Sequence, residues 1–236
     1  MDHLEYLKVF ECQNKIRLGV NTDGGYILID NLGDYDCYIS AGISYEESFS
    51  RDFIKKYDMN KSNSFGFDGT IDQYPTHYTE NIEFIKKNIG SDETQHTTNL
   101  SSYIDKYNEI FLKMDIEGGE YPWINYLNEQ QLSKFKQIVI EFHNINRDGH
   151  EGSHKNKIEC FRKLSNTHYL VHAHGNAHSH TTNNIPDVIE LTYVNKSILS
   201  EPNLNTTPLP IPNLDFTNRP GSNDINLNFE PFVKQN

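Results

Sequence analysis

Apolar residues along this chain come in short runs that end abruptly in small or acidic residues, with polar, helix-like stretches between them. Residues 19–29 read as a hairpin, with Asp23-Gly24 as the turn signal before a strand. Residues 36–44 read as a buried strand that runs out through Ser40, Ala41 and Gly42. Next, Phe49, Phe53, Ile54 and Tyr57 recur at helical spacing, which predicts an amphipathic helix over 47–57. A short strand over 63–69 ends in Asp68. Residues 70–108 are polar and predict an irregular stretch, a short strand near 82–84 and a helix at about 100–107. Beyond them the pattern predicts a strand over 110–114, a helix over 123–135 and a strand over 138–142. A helix over 155–165 and strands over 169–174 and 187–194 complete it. Strands that alternate with helices at this spacing imply βαβ units, hence an α/β fold with a mainly parallel sheet and helices on both faces.

The periodicity stops near residue 200. Residues 201–236 are rich in Pro and Asn and read as a C-terminal tail that wraps the domain or acts as a lid. Residues 1–200 are expected to form one domain with an N-terminal hairpin extension.

Composition narrows the partners. The 236 residues carry 33 acids against 21 bases, a formal charge of −12, so the overall field repels phosphate backbones and nucleic acid is not an expected partner. A nucleotide-linked small molecule stays compatible, because one local basic pocket suffices for it. Cys12, Cys37 and Cys160 are scattered and odd in number, which fits reduced, packed thiols. No apolar run approaches the ~20 residues of a membrane span. The first residues lack a basic segment followed by an apolar one, so the expectation is a cytoplasmic protein. A homo-oligomer stays open.

The chemistry sits at strand ends. The run Phe111-Leu-Lys-Met114 ends in Asp115 and Glu117, ahead of Gly118-Gly119. A parallel strand in this way delivers acids to the carboxyl edge of a sheet, where open α/β folds bind ligands. The alternative makes Asp115 and Glu117 a helix cap and a first-turn acid. Residues 137–143 make a second delivery, and alternation puts Glu141 and His143 on one face. Asp115, Glu141 and His143 then form a set for Mg²⁺, Mn²⁺ or Fe²⁺, or else a buried carboxylate–imidazole ion pair. Gly42 marks a strand–helix turn where a ligand can approach the backbone, and Asp68 stands where an acid often meets ribose hydroxyls. Eight of the eleven histidines lie between His143 and His180, so proton carriers and ligands are sought there. Alternation puts His172 and His174 on one face; His174 and Asn176 are read as functional, His178 and His180 as solvent-exposed.

Seven pieces occur in order: Asp23-Gly-Gly-Tyr26, Ser40-Ala-Gly-Ile43, Phe67-Asp-Gly69, Lys113-Met-Asp-Ile-Glu-Gly-Gly-Glu120, the strand ending in Glu141, His172-x-His-x-Asn176 and Ile185-Pro-Asp-Val-Ile-Glu-Leu-Thr192. Over about residues 15–195 the set resembles the FkbM-type S-adenosylmethionine-dependent methyltransferases. The resemblance implies a Rossmann-like, seven-stranded methyltransferase sheet and S-adenosylmethionine as cofactor. Asp23, Gly24, Ser40, Ala41, Gly42, Asp68 and Asp115 would contact that cofactor, with ribose at Asp68 and the methionine part near Gly42. The acceptor would be a hydroxyl of a sugar, nucleotide-activated sugar or glycan precursor, met by Tyr26, His172, His174 and Asn176. A divalent cation would sit on Asp115 and Glu141 with His143, and the proton would pass to His143, His174 or Glu117. Two rival readings remain: a metal-dependent hydrolase built on the same cluster, and a catalytically inert binding module of the same fold.

Overall fold

The apolar runs become strands in chain order. They are β1 (Lys15–Leu18), β2 (Tyr26–Ile29), β3 (Cys37–Ala41), β4 (Ser64–Phe67), β5 (Glu83–Ile85), β6 (Asn88–Ile89) and β7 (Thr97–Thr98). After them come β8 (Ile110–Met114), β9 (Phe135–Phe142), β10 (His168–Gly175), β11 (Thr181–Thr182), β12 (Ile185–Pro186) and β13 (Ile189–Asn195). The helices are α1 (Ser48–Lys56), α2 (Ser101–Lys106), α3 (Glu120–Tyr126), α4 (Glu129–Leu132) and α5 (His154–Thr167). A computed structural model describes residues 2–75, 80–148 and 153–235; residues 76–79 of the expected irregular stretch and residue 236 of the tail lie outside these.

A seven-stranded sheet has the order β10-β13-β9-β8-β3-β4-β5. Pairs β3–β4, β3–β8, β4–β5 and β8–β9 are parallel, whereas β13 runs antiparallel to β9 and β10. Strand order reverses between β3 and β8, so their carboxyl ends open a crevice at the point where such sheets bind ligands. Alternation loads both faces. Cys37, Ile39 and Ala41 join Ile110, Leu112 and Met114 in a cluster with Ile104, Trp123 and Phe161 from α2, α3 and α5. Tyr38, Phe111 and Val139 point the other way, onto Phe49, Phe53 and Ile54 of α1 and onto Tyr26 and Leu28 of the hairpin.

The hairpin starts earlier than expected: β1 pairs with β2 over Lys15–Ile29 and Leu18–Tyr26, which leaves residues 19–25 as its loop. The helix expected over 123–135 is two helices and the start of a strand. Leu127 leaves α3 with an extended ψ of 143°, and Asn128 opens α4 with a reciprocal capping box to Gln131. Phe135, expected on the helix, pairs with Ile110 at the start of β9.

The tail is part of the core. Leu209, Leu227, Phe232 and Val233 are buried in the same cluster as the strands. Backbone bonds from Glu11 N to Asn203 O (2.8 Å) and from Asn205 N to Val9 O (2.8 Å) lace it to the N-terminal segment. None of its described residues lines either crevice cavity. No helix among the described residues is long and apolar enough to cross a membrane.

Candidate functional site

Two cavities open at the carboxyl edge of the sheet. One, of about 650 Å³, lies between the β3 and β4 ends, the start of α1 and the hairpin loop. The other, of about 470 Å³, lies over the ends of β8, β9 and β10. They meet at Asp23, Asp115 and Glu117, which line both.

The first cavity is shaped by the β3 turn. Gly42 has φ +74°, and a Cβ there would lie 1.5 Å from the Asp115 carbonyl oxygen. The glycine is thus required by close approach of the chain's own backbone as well as by the left-handed conformation. Lys113, the one ionisable residue in β8, donates Nζ to the Gly42 carbonyl at 2.9 Å and lies 3.9 Å from Asp115 Oδ2. Tyr26 donates its hydroxyl to that same Oδ2 at 3.3 Å. Tyr26, expected at the acceptor, lines the first cavity and holds Asp115; it does not line the second. Ser40, Gly24 and Asp23 also line the first cavity. Ala41 lines neither, because alternation turns its side chain into the core while its carbonyl accepts from Asp115 N at 2.9 Å.

Asp68 lines the first cavity but is already engaged. Its Oδ2 accepts from the amides of Ile43 (3.0 Å) and Ser44 (2.8 Å), and its Oδ1 from the amide (2.8 Å) and hydroxyl (2.6 Å) of Thr70. Burial acts to raise its pKa, but the Thr70 hydroxyl and the three amides prevail and hold it below the usual carboxylate value. Ser44 sits at φ 49°, so Asp68 secures a strained turn beside the cavity.

Behind His143 of the second cavity lies Glu120, a residue to which the sequence assigned no role. It is fully buried at the first position of α3. Its Oε1 accepts from the amides of Ile116 and Gly118, both at 3.2 Å, and lies 3.1 Å from His143 Nδ1. That arrangement holds the turn in which Glu117 takes φ 58°. On the other side of the ring, His143 Nε2 faces Glu117 Oε2 and Glu141 Oε1 at 3.4 Å and Asp115 Oδ1 at 3.8 Å. These separations are long for hydrogen bonds and within the span that one cation bridges. Asp115, Glu117 and His143 each offer a ligand atom within 4.8 Å of the others.

Electrostatics decide which groups carry protons. Burial works against a charged His143, yet hydrogen bonds and charges from Glu120 and Glu141 raise its pKa to about 11. Without a cation this shift favours the imidazolium form. Burial and the Asp115 charge push Glu141 up to about 8, with His143 pulling the other way.

The late histidines lie elsewhere. His172 Nε2 meets Asp215 Oδ1 at 2.9 Å, and His174 meets Glu190 Oε2 and Asp224 Oδ1, both at 3.0 Å. Both histidines are buried under the tail and line neither cavity. The signal for this was unreadable, because Asp215 and Asp224 belong to the segment without periodicity. Asn176 does line the second cavity and donates to Glu141 Oε1 at 3.2 Å. His178 and His180, read as solvent-exposed, are exposed but stand on its rim, as does Arg147.

A model of the methyltransferase FkbM domain matches residues 5–166. The chain belongs to the FkbM methyltransferase family. No curated protein matches the chain significantly. As a family member it is an S-adenosylmethionine-dependent methyltransferase with the α/β sheet of that fold. The FkbM match favours methyl transfer over the hydrolase reading of the same acids.

Proposed function

We propose that this FkbM methyltransferase binds S-adenosylmethionine in the cavity beside Gly42 and moves its methyl group to a hydroxyl oxygen of a sugar or nucleotide-sugar in the second cavity. One observation carries the reading. Among the described residues, Val188 is the one aliphatic residue in the second cavity's lining, the rest being carboxylates, histidines, amides, Ser179 and Arg147. Such a wall suits a polyol and leaves an apolar acceptor without partners. The first cavity supports the cofactor assignment, because Asp23, Glu46, Glu47, Asp68, Asp115 and Glu117 line it against a single cation, Lys113. An acid-rich cleft favours a ligand that carries a sulfonium and an ammonium group.

A divalent cation fits the shared wall, where three carboxylates surround His143 Nε2 at 3.4–3.8 Å. Asp115, Glu117 and His143 would hold it, with Glu141 alongside. Bound there, it would supply positive charge against the alkoxide that develops on the acceptor. Glu120 keeps the His143 ring aimed at that point from behind, and Tyr26 and Lys113 fix Asp115. Glu117, which lines both cavities, would take the acceptor's hydroxyl proton on the carboxylate oxygen not given to the cation, and S-adenosylmethionine would supply the methyl group. Asn176 and Ser179 orient neighbouring acceptor hydroxyls.

The test is methyl transfer from labelled S-adenosylmethionine to a panel of nucleotide sugars and free glycans, with Mg²⁺ or Mn²⁺ and after chelation. The expected result is a labelled methyl group in an ether linkage to a sugar oxygen, abolished by chelator and restored by metal. Label on nitrogen or carbon overturns the acceptor chemistry, and full turnover in chelator overturns the cation.

A further inference from the structure

We infer that the crevice holds a second divalent-cation site, formed by Asp23, Glu141 and Glu190 and completed by Asn218 from the C-terminal segment. Glu141 and Glu190 are direct partners across β9 and β13, so their side chains stand together on one face. Both are buried, at 4% and 5% exposure. Like charges directly opposed in a sheet are destabilising, and more so away from water. A third carboxylate, Asp23, reaches them from the hairpin loop, and all three offer an oxygen within 4.8 Å of one another.

His143 and His174 bring positive charge to this set, yet one of its buried oxygens is left unserved. His143 and Asn176 serve Glu141 Oε1, and His174 serves Glu190 Oε2. Glu141 Oε2 is buried without a hydrogen-bond partner. One amide nitrogen, Asn218 Nδ2, is shared between Asp23 Oδ1 (3.2 Å) and Glu190 Oε1 (2.6 Å).

Asn218 supplies an independent sign of a cation site. It is 1% exposed, and its Oδ1 is buried with no hydrogen-bond partner among the described residues. A stranded acceptor is costly in a buried amide. Turning that amide over would present Oδ1 to Asp23 and Glu190, an arrangement that is repulsive unless a cation lies between them. With the cation present, three carboxylates and one amide oxygen make an all-oxygen set, the chemistry of Mg²⁺, Mn²⁺ or Ca²⁺. This set differs from the Asp115, Glu117 and His143 group, which includes an imidazole. The site also gives the C-terminal segment a function at the crevice that does not require it to cover either cavity.

Mn²⁺ titration of the full-length protein, read by calorimetry and electron paramagnetic resonance, tests this. The expected result is two Mn²⁺ per chain, with one lost in Glu190→Gln and the other lost in His143→Gln. Asp23→Asn, on an exposed loop position, tests the same site without touching the core, and its Mn²⁺ affinity should fall at least tenfold at one site. Asn218→Leu should do likewise. A single Mn²⁺ lost in Asp23→Asn but kept in His143→Gln supports this site and removes the cation from the proposed function. A single Mn²⁺ kept in Asp23→Asn and lost in His143→Gln overturns this site alone. No Mn²⁺ bound overturns both.

Discussion

Glu120 holds His143 from behind, with Oε1 at 3.1 Å from Nδ1, while three other carboxylates face Nε2 on the opposite side of the ring. The ring is thereby oriented at the junction of the two cavities. The same Glu120 oxygen accepts the Ile116 and Gly118 amides, so ring orientation and the Asp115–Gly119 turn depend on one buried carboxylate.

Glu120→Gln keeps the amide-accepting oxygen but removes the charge behind His143. Methyl transfer should fall about 10–100-fold, the range for losing a carboxylate that orients a ligating histidine. Affinity for S-adenosylhomocysteine should change little. A parallel NMR titration should show the His143 pKa, now about 11, moving down. Glu120→Ala should also destabilise the fold, because two amides lose their acceptor. Unchanged kinetics in Glu120→Gln would reduce the contact to packing.

Asp68→Ala removes the acceptor for the Ile43, Ser44 and Thr70 amides and the Thr70 hydroxyl. The turn that shapes the first cavity should loosen, and cofactor binding should weaken by roughly 1–3 kcal/mol, the scale of a lost charge-assisted bond. Calorimetry with S-adenosylhomocysteine measures it. Equal affinity in the variant would show that the turn holds without Asp68.

Removal of residues 201–236 tests whether the tail is structural. The deletion uncovers the cluster that contains Leu209, Leu227 and Phe232 and takes Asp215 and Asp224 from the buried His172 and His174. The truncated chain should lose cooperative thermal unfolding or express as aggregate. A soluble, cooperatively folding truncation with only a raised acceptor KM would show that the tail acts as a lid.

His168 sets an acid limit on stability. It is fully enclosed; its Nε2 lies 2.8 Å from the Phe135 carbonyl oxygen, which can only accept, and its Nδ1 lies 2.8 Å from the Thr167 hydroxyl. Burial lowers its pKa from 6.5 to about 4. The folded value lies below the unfolded one, so the neutral ring's contribution is intact above 6.5 and is lost as pH falls through 4. The loss should approach about 3 kcal/mol. Urea unfolding of the wild type and of His168→Gln across that window checks it; parallel curves for the two would locate the acid limit elsewhere.

The sequence by itself determined which segments are strands and helices around the crevice. Burial periodicity is local, and Ile110–Met114 matches the pattern residue for residue. It also placed Asp115, Glu141 and His143 together, because an apolar run that stops in an acid marks a strand's carboxyl edge. Helix ends were less legible: Leu127 continues the apolar spacing, but the cap at Asn128 interrupts the helix. Only the tertiary structure decided which charges face one another. Glu190 opposes Glu141 through sheet register, and Asn218 meets Asp23 across 195 residues of chain. The histidine pair at 172 and 174 sits on one strand face as alternation requires, yet that face is closed by Asp215 and Asp224. No local pattern encodes such pairings, because the tail has no periodicity and takes its path from side-chain contacts made after the sheet is assembled.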